Sequence, residues 1–417
     1  MYTVSDLYKQ AVEKLYRKSA IRAKVTRPDG TVFNLTQDNI RKCSIKSQCV
    51  SNNSFELGAV CSSELSISVQ YDLGNDVLGS CFFIEYGIEV SENVFEYIPL
   101  GKFYVTEISK GNISEITACD IISFADSNDD VKNNIGKQIT NSAQAYDILQ
   151  IICSYAGIAC GNTRAEIESL PNGSLYTYVP ESCDISSTRD ALSYLSQWLG
   201  GFVTTDRNGN LIIRRHERYT ECSASINTNS IKSGSLKISD FQLIMRGALV
   251  KLNEDGSTWA EVYYFEEKKP NYKTLDFTGN PFFMGYYFLN GGENPGVMFD
   301  PLGNIATQCV NVQWIPLQAD CFGGNPALDA GDAVIINGTK TVISHSTWNF
   351  HGIHTISCCG KDSRILKGVR NQNKRIYETT DKKVSNAKGK NVTQAEFDEM
   401  QSAGKLIEGQ TYYITGD

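Results

Sequence analysis

Hydrophobic and polar positions change period several times along the chain. Residues 1–20 read as one helix: Ser5 stands where an N-cap belongs, and Leu7, Ala11 and Leu15 recur at three-to-four spacing on one face. From 21 to 126 the period shortens to two. "IRAKVTRPDGTVFNL" predicts a hairpin around Pro28-Asp29-Gly30, "SELSISVQY" sets Leu65, Ile67 and Val69 against serines, and "IPLGKFYVTEISKGNISEITACD" adds two strands around Lys110-Gly111-Asn112. A first β domain is expected there.

The helical period returns in 127–222. "NSAQAYDILQIICSYAGIACG" predicts a helix capped at Ser142, with Ala145, Ile148, Leu149, Ile152 and Ala156 inward and a stop at Gly157. "SSTRDALSYLSQWLGGFVTTDRNGNLIIRR" predicts a second helix capped near Ser187, with Ala191, Leu192, Leu195 and Trp198 inward, followed by a hairpin at Asn208-Gly209. This is a small α+β domain. Strand texture resumes over 223–364, interrupted at 280–304 by an aromatic, Gly-rich insertion read as a loop. Residues 365–392 are a polar linker. Residues 393–417 open with a Thr393…Glu396 capping box and close on strand-like Tyr412-Tyr413. A module this short is expected to dock on a partner, through Phe397, Met400, Tyr412 and Tyr413.

Charge narrows the function classes. With 39 Lys+Arg against 47 Asp+Glu the net charge is −8, which gives nucleic acid nothing to hold. The first residues alternate charge with apolar side chains and lack the apolar stretch of a secretory signal; no apolar run approaches the roughly 20 residues of a membrane span. A soluble chain made in the cytoplasm is expected, without a membrane segment. The 13 cysteines are an odd number with no repeating spacing and are read as reduced, mostly buried thiols.

Residues 324–360, "GNPALDAGDAVIINGTKTVISHSTWNFHGIHTISCCG", gather three of the four histidines beside Cys358 and Cys359. Asn337-Gly338 and His351-Gly352 predict two-residue hairpin loops. The second sets His345 opposite Cys358 and His354 opposite Asn349, roughly 13 Å further along the strand at about 3.3 Å per residue. Cys359 points to the other face and His351 sits in the turn. At most two of five candidates converge where a structural zinc takes four ligands, so neither metal nor cofactor is expected. His216 follows Arg214-Arg215 with neither G-x-S-x-G nor H-E-x-x-H nearby, and the doublets Glu266-Glu267 and Asp129-Asp130 are uninformative among so many acids. No enzymatic activity is expected.

Four segments, 54–69, 96–120, 186–215 and 324–360, taken in order, resemble phage and prophage tail hub proteins, the baseplate-hub family also found in phage-tail-like bacteriocins. The resemblance covers about residues 1–365. It implies a mainly β and α+β chain with two related β-barrel tube domains, 21–126 and 223–364, separated by the α+β domain and followed by the short C-terminal docking module. Three chains would then form a homotrimer presenting six barrels to a six-fold tail tube. The matching texture of 104–120 and 341–362, each strand, turn, strand, fits such a duplication. Implied partners are the tail tube or distal tail protein ring, the tape-measure C-terminus and a spike, fibre or baseplate protein. DNA would pass through without specific binding, in a virion tail or phage-tail-like particle assembled in the host cytoplasm. Phe55, Leu57 and Phe103 are read as interface residues that a lone chain would leave partly exposed. Alternatives are the hub part of a tail-associated lysin and a glycan-binding adhesin using the aromatic insertion.

Overall fold

The computed structural model describes residues 1–14, 16–51, 55–74, 77–126, 135–183, 185–222, 224–253, 257–267, 269–358, 390–402 and 412–415. The chain divides into two units, Met1–Lys361 and Asp362–Asp417. Leu15, Asp129-Asp130, Cys359 and most of the linker lie outside the described residues.

Alternating strands dominate the first unit. Its largest element is an eleven-stranded sheet in the spatial order Lys237–Ile238, Leu317–Phe322, Ile353–Cys358, His345–Asn349, Ile40–Gln48, Glu64–Val69, Ser114–Cys119, Val94–Ser109, Cys81–Ser91, Ser19–Thr26, Val32–Thr36. Strands from both β regions meet in it: Ile40–Gln48 pairs antiparallel with His345–Asn349, His345 opposite Gln48 and Asn349 opposite Ser44. None of the described sheets closes on itself.

Local chemistry explains the first hairpin. Asp29 accepts the Thr31 N–H at 2.8 Å and Gly30, at φ 84°, returns its N–H to the Arg27 carbonyl, so the turn falls where Pro28-Asp29-Gly30 predicts it. Leu65, Ile67 and Val69 are all buried, as their alternation requires. The helix Asp6–Glu13 begins at Ser5, whose hydroxyl accepts from the Tyr8 N–H. Its buried face, however, is Tyr8 and Ala11, while Leu7 is 54% exposed. The inward face is thus turned by one residue, about 100°, keeping Ala11 but replacing Leu7 with Tyr8, and the apolar cluster around Ile21, Tyr86 and Ile88 takes the larger ring.

The helices Ala145–Ala156 and Thr188–Trp198 pack beside the hairpin Phe202–Thr205/Leu211–Arg214. Ser187 caps the second helix, accepting from Asp190. The first differs from expectation: Gln144 occupies its N-cap with no side-chain bond, and Ser142 lies outside the helix.

The 280–304 stretch is not a loop. It folds as the helix Pro281–Leu289, a 3-10 turn Pro295–Met298 and the start of the helix Phe299–Val310. Asn280 accepts from the Phe282 N–H and Pro281 occupies the first turn, where its missing donor costs nothing. Phe282, Phe283, Met298 and Leu302 are buried in the largest apolar cluster, with Phe283 stacked on Phe277 and edge-on to Trp198. Phe55, Leu57 and Phe103 are likewise buried, at 0%, 7% and 2% exposure, because the chain's own apolar clusters already cover them, Phe55 packing against Trp314 and His216. Among the described residues, no helix is long and apolar enough to cross a membrane.

Candidate functional site: imidazoles, an ionic seam and open sheet edges

The His/Cys stretch resolves into two hairpins. Asn337-Gly338 forms the expected two-residue turn, with φ 50° and 78° and Ile336 opposite Thr339. At the second hairpin the loop is three residues long: His351 takes the left-handed conformation at φ 51°, and His345 stands opposite Ser357. That single added residue sends Cys358 to the face opposite His345, so the pair expected to converge does not. His354 is buried with Nε2 2.8 Å from the Ser346 hydroxyl, and burial together with Arg17 pushes it down to about 4. His216 is enclosed by Phe55, Phe202 and Trp314 at ring distances of 5.6, 4.8 and 4.8 Å, and burial, then Arg214, pushes it down to about 3. Both are buried rings, neutral at neutral pH, His216 among aromatic side chains and His354 on the Ser346 hydroxyl. No group of three His, Cys, Asp or Glu is positioned to hold a metal among the described residues.

Composition does not reveal the ionic seam. Asp332, fully buried, accepts from Arg214 at 2.7 Å and from the Met1 amine at 2.8 Å. Burial alone would raise its carboxyl, but those two cations hold it below the usual carboxylate range. Nearby, Arg207 donates to the Pro99 carbonyl at 2.8 Å, the Pro326 carbonyl at 2.9 Å and Asp329 at 2.8 Å. A cleft of about 250 Å³ opens beside it, lined among others by Tyr2, Ser47, Thr205, Trp348 and His354. The Arg207 Nη groups are committed to carbonyls and a carboxylate, while its buried Nε has no hydrogen-bond partner, and the cleft lies as a seam between the large sheet and the hairpin ending at Arg214.

The large sheet ends in two unlike strands. At one edge Val32–Thr36 carries Val32, 49% exposed; at the other Lys237–Ile238 carries Ile238, 38% exposed, with Phe322 of the adjoining strand 56% exposed. Each edge leaves backbone donors and acceptors without a strand partner among the described residues.

In the second unit, Lys390–Thr393 and Tyr412–Thr415 pair in parallel with the helix Gln394–Ser402 between them in the chain. The capping box forms, Thr393 N–H to Glu396 at 2.9 Å and Glu396 N–H to the Thr393 hydroxyl at 3.3 Å. Phe397 and Met400 fall on the helix, and Tyr412 and Tyr413 on the second strand, opposite Lys390 and Asn391. Met400 is half-buried; the side chains of Phe397, Tyr412 and Tyr413 lie outside the described ones.

No protein-family model and no curated protein matches the chain. Solved structures similar to it include phage tail and baseplate proteins and a component of the type VI secretion system of E. coli. The 43 kDa tail protein of prophage MuSo2 from Shewanella oneidensis is 14% identical at a TM-score of 0.43, the match covering 82% of this chain and 99% of that one. A tail protein from Neisseria meningitidis MC58 is 10% identical at a TM-score of 0.47, covering 82% and 97%. A chain of the phage P2 baseplate in its activated conformation is 11% identical at 0.30, covering 82% and 99%.

Proposed function

We propose that the chain is a structural component of a phage tail or phage-tail-like particle, the hub that closes the tail tube and connects it to the tape measure above and a spike, fibre or baseplate protein below. The observation that carries this reading is the pair of unlike open edges on one sheet. An edge at Val32–Thr36 that accepts the edge at Lys237–Ile238 of the next copy makes a heterologous contact, and heterologous contacts that close give a cyclic ring. The ordered resemblance of four segments to tail hub proteins supports the same assignment.

In this reading three copies form the ring, and each chain's two strand-rich regions act as related tube-type barrels that complete their curl only in the assembly. The net charge of −8 suits a passage that must not retain phosphates. The C-terminal unit holds the next component, and the chain acts without catalysing a reaction. Native mass measurement of the assembled complex tests this: three copies are expected, and a stable monomer or a hexamer overturns it. Turnover of purified peptidoglycan by the isolated chain would move the assignment to a lysin.

A further inference from the structure

Four Asn-Gly pairs occur in the chain: Asn172-Gly173, Asn208-Gly209, Asn290-Gly291 and Asn337-Gly338. This dipeptide carries a latent reaction of its own. A glycine nitrogen, uncrowded by a Cβ on its own residue, attacks the side-chain carbonyl carbon of the asparagine before it when the N–H is free and the side chain can swing onto it. Folding decides which pairs meet both conditions.

Three do not. Asn172 is 3% exposed; its Nδ2 donates to the Trp198 and Pro301 carbonyls at 3.0 and 3.1 Å, its Oδ1 accepts from Asn304 at 3.0 Å, and the Gly173 N–H is held on the Leu170 carbonyl. At the second pair the Asp206 carboxylate takes the Asn208 and Asn210 N–H groups, both at 2.8 Å, and the Gly209 N–H donates to the Asp206 carbonyl at 3.0 Å. Asn290 caps the end of the helix Pro281–Leu289, its Nδ2 on the Tyr286 carbonyl at 2.8 Å and the Gly291 N–H on the Phe288 carbonyl at 3.4 Å.

Asn337-Gly338 differs from all of them. Both residues are exposed at the tip of the hairpin Ala333–Ile336/Thr339–Val342, whose ladder closes with Ile336 opposite Thr339. Among the described residues, no hydrogen bond holds the Asn337 side chain or the Gly338 N–H. A side chain at Gly338 would meet nothing within 4 Å, so the tip has room to rearrange.

We propose that Asn337 is a site of spontaneous deamidation, selected from the four Asn-Gly pairs by the fold. The Gly338 nitrogen gives its proton to water and bonds to the Asn337 side-chain carbonyl carbon. The bond from that carbon to Nδ2 breaks, and Nδ2 takes up a proton and leaves as ammonia. One water then opens the resulting succinimide, at the side-chain carbonyl to leave an aspartyl link or at the main-chain carbonyl to leave an isoaspartyl link. One water is consumed and one ammonia released, with no oxidant, metal or enzyme. Either product adds a negative charge at the tip. The isoaspartyl form also inserts an extra carbon into the backbone of a two-residue turn and so loosens the Ile336–Thr339 closure. The reaction does not depend on the tail reading.

Full-length protein kept in mildly alkaline buffer with a reductant is sampled over weeks and digested, and the four Asn-Gly peptides are sequenced by mass spectrometry. Isoaspartyl methyltransferase with a labelled methyl donor measures the isoaspartyl fraction. A parallel sample unfolded in guanidinium releases all four pairs, which should then convert at similar rates. In the native protein Asn337 should convert at least about ten-fold faster than each of the other three, because their reaction waits on breaking the bonds that hold them. A native Asn337 no faster than Asn172, Asn208 or Asn290, or one that stays intact while the unfolded chain converts, overturns the proposal.

Discussion

The strand region 19–119 and the part of the body from 202 to 358 reach stability by different routes. In the first, all seven strands join one sheet, and most pair with a near neighbour in sequence; the cluster beneath them is built from Ile, Leu, Val, Phe and Tyr, with Ser68, Ser80 and Ser114 among the few buried polar groups. In the second, buried polar groups join segments far apart in sequence, Arg214 to Asp332 and Gln308 to the His216 carbonyl, and a further one, His354 to Ser346, crosses a hairpin. Apolar burial tolerates changes of pH and salt, whereas buried charge and neutral imidazole do not. The second region should therefore be the one that fails first in acid or when a single polar partner is removed.

The largest expected effect is at the seam. Asp332→Ala leaves the Arg214 guanidinium facing a buried void, and a loss of about 3–5 kcal/mol in denaturant-derived stability is expected. A change below about 1 kcal/mol would show that the second region is not held by its buried charges.

Acid sharpens the same contrast. The folded His354 stays neutral down to about 4, while an unfolded imidazole takes its proton near 6.5, so its stability contribution is complete above pH 6.5 and is lost as pH falls from there to 4. The loss amounts to roughly 3 kcal/mol, and His216, held neutral to about 3, adds a further loss over a window reaching lower. Unfolding free energies at pH 7 and pH 4 for the wild type and His216→Phe should differ less in the variant; equal pH dependence would mean the caged ring is not titrating on unfolding.

Smaller effects separate the two helices between these regions. Ser187→Ala should cost about 1 kcal/mol, and Ser142→Ala close to nothing, since only Ser187 caps a helix. In the first region, Arg22 and Glu85 form an exposed pair at 2.7 Å, and Arg22→Ala should cost at most about 1 kcal/mol, fading in high salt. A larger loss there would erase the distinction between the regions.

Features legible in the sequence were those decided within a few residues. The turns at Pro28-Asp29-Gly30 and Asn337-Gly338, the cap at Ser187 and the box of Thr393 with Glu396 depend on side chains that bond their own neighbouring backbone, so local composition suffices. The helix at 281–289 was also announced locally, by Asn280-Pro281, but its aromatics masked that signal. Tertiary structure decided the rest. Whether Leu7 or Tyr8 faces inward depends on the surface the helix meets, and the His345 register depends on a left-handed His351 that nothing in a His-Gly pair demands. The merging of both strand regions into one sheet and the Arg214–Asp332 seam join residues whose affinity for one another exists only after the intervening chain has folded and excluded water.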